Sequence, residues 1–367
     1  MNSVERLRAT YEMRPVDRLF RREFYIWEEA VARWRTEGMP PDADLRDIFG
    51  FDELGDAGVG GLGWCEPPFA PGLGEQVLES TDDYEIVRDC AGRTVKVFKG
   101  RRHGFMPTYL RHAVTCEADW REQIAPLLSP VTPQRWEGFE QVVAPAEAAQ
   151  RQGRMIIQSC IGGYMYLRAL VGPEEICYML VDDPGLVHQM MRAWLELADA
   201  WTARVQQRVE PDVLYLAEDI CYNHGLLIAP EMVREFLFPY YRQFLANMRG
   251  RQKGRHLYFQ LDTDGNVEEA IDLYRAIGMD VMLPFEVAAG NDVVKIARKY
   301  PDLVISGGID KRVLAAGPKA IDEYLEYVIP FMVKRGGYIP TCDHGVPDNV
   351  SFENYAYYRK RIMEMDH

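Results

Sequence analysis

The sequence predicts an α/β protein built as a (β/α)8 TIM-type barrel. From about residue 154 onward, short apolar runs that suit buried strands alternate with longer amphipathic stretches that suit helices. Strands buried on both faces and alternating with helices indicate a parallel sheet. About six such units, with further chain upstream, favour a closed barrel, and an open doubly wound sheet is the alternative.

The predicted strands are six apolar runs in the second half of the chain. They cover residues 155–160, 213–219, 256–262, 279–285, 303–310 and 336–344. No GxGxxG or GxxxxGK[ST] motif follows any of them, which argues against a nucleotide-binding version of the fold. We expect one domain over residues 1–367, of which 1–130 form an N-terminal helical and hairpin extension packed on the barrel.

Three patterns describe this extension. Aromatic residues spaced at helical intervals predict a helix over about 18–37. A stretch rich in glycine and proline predicts an irregular loop over 55–74. Alternating apolar and polar residues around Ala91-Gly92 predict a hairpin over 84–104.

Composition excludes several classes of function. The net charge of −14 argues against nucleic acid or an anionic membrane surface as the main partner. Seven cysteines without a CxxC pair, a charged N-terminus without an apolar signal region, and no apolar run near 18 residues favour a cytoplasmic protein without membrane spans. The aromatic run "FLFPYY" (236–241) fits either a homodimer surface or a buried helix face.

Ionisable side chains follow five consecutive predicted strands. In barrels of this kind catalytic groups project from the carboxyl ends of the strands, so we expect a site there for a small-molecule substrate. Some of these residues could instead turn the chain, and Asp264-Gly265-Asn266 is a good turn sequence. The candidates are Glu218, Asp219, Asp262, Asp264, Glu286, Asp310, Arg312 and His344.

Further candidates lie beside these strand ends. Tyr164, Tyr166 and Arg168 could line a pocket for an aromatic or methylated ligand, or could pack on the barrel rim. Tyr222 and His224 would lie across the mouth.

The chain resembles the uroporphyrinogen decarboxylase superfamily. The resemblance rests on motifs spread in order along the sequence, and it implies a (β/α)8 barrel with an N-terminal extension. The motifs are "RPVDR" (14–18), "YLAEDICYNHGLLIAPEMVREFLFPYYR" (215–242), "LDTDGNVEEAIDLYRAIGMDVMLPFEV" (261–287), "SGGIDKRVLA" (306–315) and "TCDHGVPDNVSFENY" (341–355).

The resemblance is closer to the methyltransferase-like branch than to true decarboxylases. The decarboxylases carry an arginine-rich "RQAGRY"-type loop for substrate carboxylates, where this chain has "RREFYIWEEAVARW" (21–34). Glu28 and Glu29 in that stretch would repel a polyanion. The "HGV" at 344–346 matches the terminal histidine loop of the decarboxylases.

The methyltransferase-like branch exchanges methyl groups with a corrinoid protein, and some members hold zinc through His-x-Cys and a later cysteine. Here Asp262 and Asp264 stand at the His-x-Cys positions and His344 near the last cysteine. The resemblance therefore implies either a zinc or harder-metal site on these three residues, or metal-free acid/base chemistry. Asp262 and His344 would react, and Glu218 or Asp219 would orient them.

Three functional hypotheses follow. The first is a methyltransferase that moves a methyl group between a methoxylated aromatic, a methylamine-type compound or tetrahydrofolate and a corrinoid protein. The second is a decarboxylase of a porphyrinogen or a smaller acid, for which Arg168 and Arg312 would bind carboxylates. The third is a non-catalytic ligand-binding barrel, whose activity would be insensitive to Asp262→Asn or His344→Ala.

Overall fold

The computed structural model describes residues 1–99 and 107–367. Its strands are β1 (Asp56–Val59), β2 (Gln76–Ser80), β3 (Tyr84–Arg88), β4 (Thr94–Phe98), β5 (Thr108–Arg111), β6 (Met155–Ile161), β7 (Val213–Ala217), β8 (Cys221–Tyr222), β9 (Gly225–Leu226), β10 (Tyr258–Asp262), β11 (Val281–Leu283), β12 (Val304–Ser306) and β13 (Tyr338–Ile339).

The α-helices of the described residues are α1 (Ser3–Tyr11), α2 (Glu28–Thr36), α3 (Leu45–Phe49), α4 (Glu117–Asp119), α5 (Phe139–Arg151), α6 (Gly163–Val171), α7 (Glu175–Asp182), α8 (Pro184–Val205), α9 (Pro230–Met232), α10 (Phe238–Arg251), α11 (Glu268–Arg275), α12 (Val293–Lys299), α13 (Lys311–Ala316), α14 (Pro318–Arg335) and α15 (Phe352–Met365). Short 3-10 or π turns occur at Trp120–Ile124, Ala125–Leu128, Pro133–Trp136, Val233–Leu237 and Val287–Ala289.

Seven parallel strands form a curled sheet in the order β1-β6-β7-β10-β11-β12-β13. Residues 19–27 run in extended form between its two ends. On one side the Asp52 N–H donates to the Arg21 carbonyl oxygen at 2.7 Å, just before β1. On the other side the Val346 N–H donates to the Tyr25 carbonyl oxygen at 2.9 Å, just after β13. This segment takes the place of an eighth strand, and the predicted TIM-type barrel is confirmed.

The barrel interior is filled in layers because side chains alternate between the two faces of each strand. Tyr215, Ala217 and Leu283 form a layer below the carboxyl ends of the strands, with Phe24 and Ile157 packed against it. The layer beneath it is closed from below by Leu7 and Tyr11 of α1 and contains Phe20, Met155, Val213, Val281, Val304 and Ile339. Residues of the opposite parity, such as Leu214 and Leu216, face the helices and belong to the main core.

The structure corrects two predictions for the N-terminal region. The helix predicted over 18–37 is confined to α2, because residues 19–27 are extended in the barrel wall. The loop predicted over 55–74 begins with β1, which pairs in parallel with β6 and so belongs to the barrel sheet. The hairpin is confirmed as β3 paired with β4 inside an antiparallel sheet of β2 to β5. Residues 100–104 of the predicted hairpin lie outside the described residues.

The run "FLFPYY" is a buried helix face. Phe236, Leu237, Phe238 and Tyr241 are at most 2% exposed within the chain, so these residues offer no patch for a second copy. Within the described residues, no helix combines the length and apolarity that crossing a membrane requires. All seven cysteines are unpaired thiols.

Candidate active site

Asp262 ends β10 with its carboxylate facing the barrel interior. It lies opposite Ala217 of β7 and Leu283 of β11 in the sheet register. Its Oδ2 accepts a hydrogen bond of 2.6 Å from the Tyr215 hydroxyl group. Burial raises the pKa of Asp262 to about 7, although the Tyr215 bond opposes the rise and the charge of Asp219 adds to it. A carboxyl with this pKa can donate or accept a proton near neutral pH.

Asp219 stands beside Asp262 at the end of β7. Its backbone adopts a φ of +43°, in the left-handed region that few non-glycine residues occupy. Arg168 of α6 holds this conformation, since its guanidinium contacts the Asp219 carboxylate and lies 3.3 Å from the Asp219 carbonyl oxygen. Such backbone conformations concentrate at functional sites. Arg168 is therefore committed to an acid of the site.

Two further pairs of side chains lie at the mouth, Asp264 with His344 and Glu286 with Lys311. The His344 Nε2 lies 3.6 Å from Asp264 Oδ2, which is longer than a hydrogen bond. Burial lowers the pKa of His344, and burial with the charges of Asp219 and Glu286 raises that of Asp264. Both groups are consequently neutral near pH 7. The rings of Phe24 and Trp27 hold the imidazole at centroid distances of 5.8 and 6.2 Å.

Glu286 has a different environment from the other acids. Burial alone would raise its pKa, but the Lys311 ammonium at 2.9 Å and the Gly265 N–H at 3.0 Å outweigh burial and lower the pKa. Glu286 therefore stays ionised and is neutralised by Lys311. We infer that it fixes the loop carrying Asp264 in place.

Glu218 does not face the mouth. Side chains at positions 213, 215 and 217 point into the barrel, so the next residue points toward the helices. Its carboxylate is fully buried and accepts hydrogen bonds of 2.7 Å from the hydroxyl groups of Tyr241 and Tyr274. Burial raises its pKa to about 7. Glu218, which the sequence offered with Asp219 for orienting the reacting pair, therefore lies buried against Tyr241 and Tyr274 and not in the mouth.

The other sequence candidates divide into two groups. Tyr222 and His224 lie on the exposed hairpin of β8 and β9, with ring centroids 5.7 Å apart, at the rim of the mouth. The pocket prediction is wrong for Tyr166, because Tyr166 is 1% exposed and its hydroxyl group donates to the Met190 carbonyl oxygen of α8.

Three further candidates begin helices and do not end strands. Tyr164 is buried near the start of α6, and its hydroxyl group has no hydrogen-bond partner. Asp310 caps the N-terminus of α13 and pairs with Arg312, whose side chain is 61% exposed. These contacts place Asp310 and Arg312 at the N-terminal cap of α13, where the Arg312 guanidinium is paired with Asp310.

The loop after β1 supplies two side chains to the mouth that the sequence did not indicate. The Trp64 ring stacks on Tyr215 with centroids 4.8 Å apart and an interplanar angle of 24°. Cys65 lies close enough to Asp219 and Asp262 for their charges to help burial raise its pKa to about 12, which keeps its thiol protonated. A glycine-rich loop has no helix or strand periodicity from which to predict a site. The one available signal was a large aromatic residue and a thiol, Trp64 and Cys65, within a stretch of small residues.

The proposed metal ligands do not fit a metal site as they stand. Among the residues that the structure describes, no three His, Cys, Asp or Glu side chains come together in a metal-binding arrangement. Asp262 is instead bonded to Tyr215, and Asp264 faces His344. We derive no step through a metal.

The Tyr215 hydroxyl group gives a direct test of the Asp262 environment. Tyr215→Phe removes a hydrogen bond that favours the ionised carboxylate, so we expect the pKa of Asp262 to rise by about one pH unit. Titration of the Asp262 carboxyl carbon by NMR measures this change. Tyr274→Phe, which removes a hydroxyl group that donates to Glu218, is the matched control. An unchanged Asp262 titration in Tyr215→Phe would refute the assignment.

Comparison with known proteins places this geometry in a family. The sequence profile of the uroporphyrinogen decarboxylase (URO-D) family matches residues 146–365, more than half of the chain. The chain belongs to the uroporphyrinogen decarboxylase family. The matched region runs from α5 to α15 and contains Asp219, Asp262, Asp264 and His344.

Two similar proteins are distant from this chain in sequence. A curated uroporphyrinogen decarboxylase of Hydrogenobaculum sp. (strain Y04AAS1) is 22% identical over 135 residues, which cover 36% of this chain and 37% of that protein. The structure of a methyltransferase from Methanosarcina mazei superposes with a TM-score of 0.62 at 16% identity and covers 99% of both chains. The second match shows that the whole fold, including the N-terminal region, is shared between the two proteins.

Proposed function

We propose that this URO-D family protein is a methyltransferase that takes a methyl group from a small methylated compound and passes it to a corrinoid protein. The observation that carries the proposal is that the described cations of the mouth are already paired with acids. Four acids, Asp219, Asp262, Asp264 and Glu286, meet there, and the two cations described among them are already paired with Asp219 and Glu286. Among the described residues of this site, a substrate with several carboxylates would therefore find no unpaired Lys or Arg.

The acidic mouth suits neutral or cationic methyl donors. Methyl transfer breaks the bond between the methyl carbon and a heteroatom and forms a bond between that carbon and the acceptor. The heteroatom of a methoxylated aromatic leaves as a poor anion unless it receives a proton. Asp262, with a pKa of about 7, is the proton donor, and Tyr215 orients its carboxyl group.

A corrinoid carried by a partner protein would supply a nucleophilic metal centre as the methyl acceptor at the mouth. The residues at the rim are exposed and leave the approach open, with Trp64 42% and Tyr222 47% exposed. Tetrahydrofolate is the alternative methyl carrier. His344 stands on the other side of the mouth, where burial lowers its pKa and keeps its imidazole neutral.

A methyl-transfer assay tests the proposal. Purified protein is mixed with chemically reduced free cobalamin and, separately, a methoxylated benzoate, a quaternary methylamine and methyltetrahydrofolate. We expect the absorbance of methylated cobalamin to appear with one donor class. Release of CO2 from a porphyrinogen without methyl transfer would instead support the decarboxylase hypothesis, and neither activity would support the non-catalytic barrel.

A further inference from the structure

A second cleft lies outside the barrel mouth, beside the N-terminus of α5. It has a volume of about 390 Å³, within the range of small-molecule sites. One wall is the loop after β1, at Gly61 and residues 68–72, and the other is formed by Gln134, Arg135 and Gly138 with Trp201 of α8. None of the acids of the mouth lines this α5 cleft.

Arg135 brings an uncompensated positive charge to the α5 cleft. The side chain is 6% exposed, and its guanidinium donates only to the backbone carbonyl oxygens of Pro68 and Leu127. Its Nε has no partner, and no carboxylate among the described residues contacts it. Burial lowers its pKa to about 10, so it stays charged at neutral pH. A buried cation without a counter-charge is costly unless an anion joins it.

Two further groups in the cleft favour an anion. Helix α5 begins after Gly138, which has a φ of +78° and offers no side chain to cap the first amide groups. Those amides carry the positive end of a helix of 13 residues. Trp201 is 4% exposed, lines the same cleft, and its indole N–H has no partner.

Arg335 shows why Arg135 is different. Arg335 is also half-buried against backbone carbonyl oxygens, those of Tyr300 and Leu303, and its pKa is also lowered to about 10 by burial. Asp302, however, lies close enough to offset part of that cost, and Arg335 lines neither of the two cavities described. Arg135 likewise donates to two backbone carbonyl oxygens, but burial is the sole cause of its pKa shift, with no acid offsetting it. It also lines the α5 cleft.

We propose that the α5 cleft binds the oxyanion group of a small molecule, either a carboxylate or a phosphate. The buried guanidinium charge and the uncapped helix N-terminus supply positive potential beside one space, which Trp201 also lines. Glu137, exposed at the rim, is the acid among the lining residues and weakens the site without filling it.

The same loop that walls the α5 cleft carries Trp64 onto Tyr215 and Cys65 close to Asp262. An ion bound in the cleft would therefore contact the same loop that reaches the barrel mouth. The binding proposal does not depend on the chemistry at the mouth, so its failure would leave the methyltransferase proposal unaffected.

Calorimetric titration of the full-length protein with inorganic phosphate and with acetate, at ionic strength held constant with sodium chloride, tests the site. Gln134 and Glu137 are exposed, so their isosteric substitutions keep the fold. We expect saturable binding of one of the two probes. Gln134→Glu should weaken it about five- to tenfold, and Glu137→Gln should strengthen it about two- to fivefold.

The two probes separate the two oxyanion chemistries, since phosphate and acetate differ in charge and in the number of acceptor oxygens. No saturable binding of either probe would overturn the proposal. Binding that is the same in Gln134→Glu and in Glu137→Gln as in the natural protein would overturn it as well, because the ion would then lie elsewhere.

Discussion

Asp262→Asn is expected to lower kcat/KM for methyl transfer from a methoxylated aromatic by about two to four orders of magnitude. Asparagine has the shape of aspartate and still accepts the hydrogen bond from Tyr215, but it cannot donate a proton to the leaving heteroatom. Loss of a positioned general acid typically costs that range. Steady-state kinetics with the donor identified in the cobalamin assay measures the loss, and Asp302→Asn, an exposed acid paired with Arg275, is the control.

The same substitution has a predicted effect on stability. The pKa of Asp262 is raised from 3.8 to about 7 in the folded state, so the folded protein holds a proton that the unfolded chain has already released. The free energy of unfolding contributed by this group is therefore lost as the pH rises from about 4 to 7. Asp262→Asn should show a shallower decline in stability across that window. Equal slopes for both proteins in urea titrations would contradict the raised pKa.

Glu218→Ala is expected to destabilise the protein by about 3–5 kcal/mol. The change deprives the buried hydroxyl groups of Tyr241 and Tyr274 of their acceptor and leaves a cavity beside Gly162. Each buried donor left without a partner costs about 1–3 kcal/mol. Urea denaturation followed by circular dichroism measures the difference in the free energy of unfolding.

Glu218→Gln is the matched variant for this prediction. The amide oxygen can accept from both tyrosines, so the loss should be at most about 1 kcal/mol. If Glu218 only positions the strand end, Glu218→Gln should keep kcat within a few-fold. A loss of kcat comparable to that of Asp262→Asn, at full stability, would show that Glu218 takes part in the chemistry.

The alternation of predicted strands and helices was enough to predict the barrel. It did not tell which acids at the strand ends face the mouth, and the alternation of side chains between the two faces of a strand explains that. The acids at 218 and 219 have different surroundings because successive residues at a strand end point to opposite faces of the sheet. Asp219 and Asp262 follow the inward parity and meet at the mouth, whereas Glu218 has the outward parity and meets the helices.

The N-terminal region could not be predicted for a physical reason. Phe20 and Phe24 are four residues apart, a spacing that places them on one face of either a helix or a strand. In the structure they enter two successive layers of the barrel interior in extended chain. Strand β1, "DAGV", is too short and too poor in large apolar residues to be distinguished from a loop. Tertiary contacts determine the conformation of the segment that carries Phe20 and Phe24, and they also determine that Asp56–Val59 forms a strand.

The role of Asp262 as the proton donor in methyl transfer is tested most directly by comparing two proteins with the same donor. Methyl transfer to reduced cobalamin is measured side by side for the natural protein and for Asp262→Asn. We expect methylated cobalamin from the natural protein and, with a methoxylated donor, a loss of at least about a hundredfold in the variant. Equal rates in the two proteins, or release of CO2 from a porphyrinogen with no methyl transfer, would show that the acidic mouth does not serve methyl transfer through Asp262.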